Sequence, residues 1–172
     1  VYNIETTAGG GIASDEHYVE KFKVPKDHPL YMKNLNAMQT LGCFFNNLGN
    51  SYSVVGQTDQ AFLELSRAVR INPSLAEARV NFGNLCLAKG LTDKAIEEYE
   101  QARRILPRDP RVLNNLGSAW MEKKNYNRAQ SFLRQSLDID PTYHDARRAL
   151  ARALHADGQT SKAVSEIRAL AA

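Results

Sequence analysis

Cysteine is scarce in this 172-residue chain, which holds only Cys43 and Cys86. Neither sits in a Cys-x-x-Cys or Cys-x-x-Cys-His context, which excludes a zinc knuckle and c-type haem attachment. Two thiols cannot staple a small disulfide scaffold, and they suit a reducing compartment without proving one. No apolar run approaches the roughly 18 residues that a bilayer-spanning helix needs. No signal-peptide pattern occurs either, and the chain starts at Val1, as expected of a processed chain or a fragment. A soluble protein is therefore expected, cytoplasmic or periplasmic, with the compartment left open. Charge of one sign is also lacking: 22 basic against 19 acidic residues leave a net +3. That surplus is too weak to call for nucleic acid or a membrane surface as partner. The pairs Arg103-Arg104 and Arg147-Arg148 are too short to form the basic stripe of a nucleic-acid binder. There is no Gly-x-Ser-x-Gly, His-Glu-x-x-His or phosphate-binding loop, and Gly9-Gly10-Gly11 lacks a strand-loop-helix context, reading as a flexible linker. His17, His28, His144 and His155 have no ligand spacing. No catalytic residue, metal or cofactor is expected, and the chain does not read as an enzyme.

What the chain does have is a core-forming composition, 43% hydrophobic and 24% charged, and an internal repeat. Shifted by 34 residues, the sequence overlays itself without a gap. Leu48, Phe82, Leu116 and Leu150 form one column, and Gly49, Gly83, Gly117 and Ala151 the next. Tyr52, Cys86, Trp120 and Leu154 follow, then Ala61, Ala95, Ala129 and Ala163, then Leu65, Tyr99, Leu133 and Ile167. Pro73, Pro107 and Pro141 close the first three units. Each unit reads as two helices. Phe45, Leu48 and Tyr52 recur on one helical face, Gly56 breaks the helix, and Thr58 or Asp59 is expected to cap the next. Asn72-Pro73 ends the second helix, because a residue before proline avoids the helical region. Small residues at Gly49 and Ala61 should let the paired helices approach closely.

The period and the pattern Phe45-x2-Leu48-Gly49-x2-Tyr52, Ala61-x3-Leu65, Pro73 resemble the tetratricopeptide repeat family. So does Leu113-x2-Leu116-Gly117-x2-Trp120, Ala129-x3-Leu133, Pro141. Arg79, Arg147 and Ala151 depart from the pattern. The resemblance implies an all-α, right-handed α-solenoid of four stacked helix-turn-helix repeats (42–75, 76–109, 110–143 and 144–172), its first helices lining a concave groove.

The face of each first helix opposite its core stripe is rich in asparagine. It carries Cys43, Asn46, Asn47, Asn50 and Val54 in the first unit, then Glu77, Val80, Asn81, Asn84 and Ala88 in the second. The third carries Arg111, Asn114, Asn115, Ser118 and Glu122, and the fourth Asp145, Arg148, Ala149, Arg152 and Ala156. Asparagine is a middling helix former, so a merely solvated face would favour Glu, Lys or Gln. Its amide offers donors and an acceptor, and a ladder of amides can pair with the backbone of an extended chain. Asn47, Asn81 and Asn115 resemble the asparagine ladder in the repeats of O-linked N-acetylglucosamine transferase. The alternative is that these amides cap or bridge neighbouring helices. Asn84, Arg148 and Arg152 resemble part of the carboxylate clamp of chaperone-binding repeats, while Val80 and Ser118 do not match it. Arg148 and Arg152 would hold an acidic group by charge-assisted bonds, or form a solvated basic face. The candidate partner-binding residues are therefore Asn46, Asn47, Asn50, Asn81, Asn84, Asn114, Asn115, Ser118, Arg148 and Arg152.

Residues 1–41 do not fit the repeat. Val1–Ile4 is extended in character, Asp27-His28-Pro29 reads as a helix start, and Leu30, Tyr31, Asn34, Leu35 and Met38 give an amphipathic segment. This segment is expected to cap the first repeat, either separate from its first helix or continuous with it. At the other end, Val164, Ile167 and Leu170 lie on the last second helix of the sequence, and this end is expected to dock on another chain or on sequence beyond it. The function expected is an interaction scaffold or adaptor that binds an extended peptide or partner segment. The alternatives are a targeting module of a larger enzyme and a structural subunit of an assembly.

Overall fold

A computed structural model describes residues 3–4, 12–13 and 37–170. The chain divides into two units, Val1–Ala37 and Met38–Ala172. In the first, β1 (Asn3–Ile4) pairs antiparallel with β2 (Ile12–Ala13), Asn3 opposite Ala13. The triglycine and the expected capping segment from Asp27 to Leu35 lie outside the described residues.

The second unit is helical: α1 (Ala37–Val54), α2 (Thr58–Ile71), α3 (Ala76–Ala88), α4 (Thr92–Ile105), α5 (Pro110–Glu122), α6 (Tyr126–Ile139), α7 (His144–Ala156) and α8 (Thr160–Arg168). They form four helix pairs in chain order, each pair packing on the next. Met38, assigned from sequence to a capping segment, lies in α1.

Local chemistry explains the boundaries. The turn inside each pair needs one left-handed residue, and Gly56, Gly90, Lys124 and Gly158 supply it, with φ of 78°, 76°, 57° and 80°. The second helices end at Ile71, Ile105 and Ile139, each two residues before a proline. Asp109 caps α5, its carboxylate accepting from the Arg111 N–H at 2.8 Å, with Pro110 at the first helical position. Asn125 caps α6 by accepting from the Arg128 N–H at 3.2 Å. The expected cap by Thr58 or Asp59 is not formed. Gln57 holds the cap position without a side-chain bond, and Thr58 Oγ1 donates back to the Gly56 carbonyl. Asp59 instead accepts from Lys89 of the next pair at 2.9 Å, and Asp93 accepts from Lys123 in the same way. The aspartate at the start of the second helix thus ties neighbouring pairs.

Within pairs, close approach is built from glycine against a large side chain. A Cβ on Gly83 would come within 2.5 Å of the Tyr99 ring, and one on Gly117 within 2.5 Å of Leu133. The buried core follows the repeat columns: Leu65, Phe82, Tyr99, Leu116, Leu133, Leu150 and Leu154, with Ala61, Ala95 and Ala129 wholly enclosed. Arg79 and Arg147, the departures from the repeat pattern, share one device. Each donates to the carbonyl of the preceding proline, Pro73 or Pro141, at 2.7 Å, and each pairs with a glutamate on its partner helix, Glu98 at 2.8 Å or Glu166 at 3.1 Å. In the third pair the corresponding positions are Leu113, which is buried, and Phe132, so apolar residues stand where the second and fourth pairs use an ion pair.

Candidate binding face

Repetition brings equivalent first-helix positions side by side, and the amides resolve into an inner and an outer set. The inner set is engaged within the protein. Asn81 Nδ2 donates to Asn46 Oδ1 at 2.9 Å, and Asn46 Nδ2 faces Asn47 Oδ1 at 3.4 Å. Asn46 is only 3% exposed, so it supports its neighbours and cannot meet a partner directly. Asn114 is half-buried and its Nδ2 faces Asn115 Oδ1 at 3.5 Å. Its own Oδ1 is buried without a donor. The reason lies in the next helix: the position that holds the donor Asn81 in the second pair holds Ala149 in the fourth. The amide ladder therefore stops at the third pair.

The outer set faces solvent and lines two adjoining hollows. The larger, about 440 Å³, is lined by Asn84, Leu87, Ala88, Tyr99, Asn115, Ser118 and Glu122. The smaller, about 170 Å³, is lined by Asn50, Ser53, Leu65, Asn81, Asn84, Leu85 and Ala88. Asn84 belongs to both and is oriented by the protein. Its Oδ1 accepts from Tyr99 Oη at 2.7 Å and from Asn115 Nδ2 at 3.2 Å, which uses both lone pairs and leaves its Nδ2 to donate outward. Burial, with the nearby Cys86, pushes the Tyr99 phenol well above its usual range, so the hydroxyl stays a donor. Asn50 and Ser118 have no side-chain partner among the described residues, and their full hydrogen-bonding capacity is open.

Of the candidate residues read from the sequence, Asn50, Asn81, Asn84, Asn115 and Ser118 line these hollows. Asn47 is exposed beside them and accepts from Asn46. Arg148 and Arg152 are exposed on α7 and line neither hollow; Arg148 is paired with Asp145 one turn earlier, while Arg152 has no partner among the described residues. Tyr99 was missed as a groove residue because its column is otherwise aliphatic. The available signal was its polar tip opposite Gly83. Cys43, placed by the helical wheel on the groove face, packs instead beside Ala68, Leu75 and Ala78 at the junction of the first two pairs. Among the described residues no group of three or more His, Cys, Asp or Glu side chains is placed to hold a metal ion, and no helix is long and apolar enough to cross a membrane.

The comparisons agree with the repeat geometry. Residues 121–172 match the family model of the tetratricopeptide repeat, and residues 83–124 match that of the TPR repeat. No curated protein sequence matches the chain. Among solved structures, MamA from Desulfovibrio magneticus RS-1 (residue 41 to its end) superposes with a TM-score of 0.70 at 16% identity, over 92% of this chain and 84% of that one. A Pseudomonas aeruginosa protein, PilF, gives 0.69 at 25% identity, over 78% of this chain and 62% of its own. The first TPR domain of Spaghetti (RPAP3), solved with the HSP90 peptide SRMEEVD, gives 0.67 at 15% identity, over 70% of this chain and 95% of that domain. These likenesses carry the fold, a right-handed α-solenoid of stacked helix pairs. With the repeat columns, the left-handed turn residues and the two family matches in agreement, the chain belongs to the tetratricopeptide repeat family.

Proposed function

We propose that the chain is a protein-interaction scaffold that binds an extended peptide segment across the outer amide face. The observation that carries this reading is the oriented Asn84, whose acceptor is saturated from inside and whose donors point outward between two hollows. Asn50, Asn81 and Ser118 extend the row of donors and acceptors, which suits the alternating N–H and C=O groups of an extended backbone. Leu87 and Ala88 give the larger hollow an apolar wall for a side chain. The peptide-bound relative supports the same use of the fold.

A peptide selected on the purified chain from a displayed random library provides the test. Its affinity is compared between the wild type and the double variant Asn50→Ala with Ser118→Ala, neither of which removes an internal bond. Two lost hydrogen bonds at about 0.5–1.5 kcal/mol each predict a weakening of about tenfold, with an unchanged melting temperature. Undiminished binding would move recognition to another face.

A further inference from the structure

The two hollows of the outer face differ in charge. The smaller is lined by amides, Ser53, two leucines and Ala88, with no charged side chain. The larger holds one, Glu122. On the other first helices the position of Glu122 is held by Val54, Ala88 and Ala156, so the charge is peculiar to this hollow. It is also unanswered. Glu98 and Glu166 are paired with Arg79 and Arg147, and Asp59 and Asp93 with Lys89 and Lys123. Lys123, which follows Glu122 in sequence, is thus held by another carboxylate. The Glu122 carboxylate takes no ion pair or hydrogen bond among the described residues. Those of Glu77 and Asp138 take none either, but they line neither hollow.

The neighbours of Glu122 complete a site for a cation on an aliphatic stem. Asn115, Ser118 and Glu122 recur at i, i+3 and i+7 on α5 and form one stripe along the hollow. Asn115 Nδ2 is committed to Asn84 at 3.2 Å. Its Oδ1 is met only by Asn114 Nδ2 at 3.5 Å and keeps capacity to accept. The Ser118 hydroxyl adds a second acceptor, and the Tyr99 hydroxyl is already spent on Asn84. Leu87 and Ala88 of α3 supply an apolar wall. Lysine and arginine lay their methylenes along apolar surface and carry the charge at the tip, which fits this division. An acidic side chain would meet Glu122 with like charge. Size agrees, since the charged hollow has about 440 Å³ and the uncharged one about 170 Å³.

We propose that the peptide bound across the amide face carries a lysine or arginine that fills the larger hollow and pairs with Glu122, which rests on the groove reading above. The outward donors of Asn84 hold the peptide backbone between the hollows, and the Glu122 charge sets which residue lies in the larger one. The face thereby reads backbone with its amides and one side chain with its carboxylate.

Random peptides displayed and selected on the wild-type chain are the probe. Glu122 is exposed, so circular dichroism of Glu122→Gln and Glu122→Lys should match the wild type. Peptides weakened by Asn50→Ala with Ser118→Ala occupy the amide face, and they should share a lysine or arginine at one position. Replacing that residue by its uncharged isostere, norleucine or citrulline, keeps the stem. It should weaken binding to the wild type about fivefold, near the upper limit for a solvent-exposed ion pair. On Glu122→Gln the same replacement should cost less than about twofold, and Glu122→Lys should prefer glutamate at that position. Amide-face peptides that share no basic residue overturn the proposal, and so does an isostere that loses as much on Glu122→Gln as on the wild type. In both cases the groove reading stands. Selected peptides that are indifferent to Asn50→Ala with Ser118→Ala overturn the groove reading and the proposal with it.

Discussion

Leu133 and Ile167 hold the same place on successive second helices, yet one is wholly buried and the other half exposed. Each is an aliphatic residue facing its own first helix, and Leu116 and Leu150 opposite them are both buried. What differs is the neighbour: α6 is followed by α7, and α8 is followed by no further described helix pair. In a stacked repeat, burial is conferred by the next unit as much as by the residue itself. The third pair and the fourth are therefore nearly one sequence pattern in two energetic situations.

The largest expected effect sharpens that contrast. Leu116→Ala should cost about 2–5 kcal/mol, as for a large-to-small change in a closed core. Ile167→Ala should cost about 0.5 kcal/mol, as for a surface position. Denaturant unfolding of both variants provides the check. Equal losses would break the comparison and imply that the last pair is as enclosed as the third.

This is also where the sequence was most and least legible. The columns, the turn glycines and the proline stops were readable because each is a local requirement repeated at a fixed period. The amides were only half readable. A helical wheel places Asn46 and Asn50 on the same side, but it contains no neighbouring helix, so it cannot show that Asn46 is covered by Asn81 while Asn50 stays open. The same blindness put Cys43 in the groove and gave Asp59 a capping role. Each of those side chains is claimed by a residue about one repeat away, Ala78 or Lys89. Tyr99 was hidden because a core column gives no warning that one member carries a hydroxyl that orients Asn84.

The inner and outer amides supply the next test. Asn81→Ala removes the donor to Asn46 Oδ1, which is buried and would be left unsatisfied. That should cost about 1–3 kcal/mol of stability. Asn50→Ala leaves no internal group unpaired and should stay within about 0.5 kcal/mol of wild type. Thermal melts separate the two. If Asn81→Ala melts like the wild type, the inner set is not structural.

The caps give a smaller contrast with a pH signature. Burial raises the Asp109 carboxyl, but hydrogen bonds from the Arg111 side chain and from the N–H groups of Arg111 and Val112 outweigh it and hold the group below its usual 3.8. A carboxylate depressed on folding stabilises fully above its unfolded value, and the contribution fades as pH falls through the folded value. Asp109→Ala should therefore cost about 0.5–2 kcal/mol at neutral pH. The deficit should shrink as the pH drops below the usual carboxylate value of 3.8. A deficit that is constant from neutral to strongly acid pH would mean that the charge of the cap contributes nothing. Gln57, which caps α2 without a side-chain bond, is the control: Gln57→Ala should show no such pH dependence.

The smallest effect is kinetic, and it compares the first junction with the interior. Both thiols are free. Cys86 is fully enclosed, and burial together with the Glu98 carboxylate pushes its pKa up to about 11. Cys43 is half-buried at the junction of the first two pairs, its pKa raised mainly by burial and then by Glu77. A thiol reacts as the thiolate and only when reached, so both should label slowly at neutral pH, Cys43 first. Cys86 belongs to the buried cluster that joins the first three pairs, whereas Cys43 packs at the edge of the smaller cluster beside α1. Leu116→Ala weakens the core cluster that holds Cys86, so it should accelerate labelling of Cys86 more than that of Cys43. Mass spectrometry of time-resolved labelling reads both rates in one experiment. Equal rates in the wild type, or equal acceleration in the variant, would show that the helical unit opens as one cooperative body and not pair by pair.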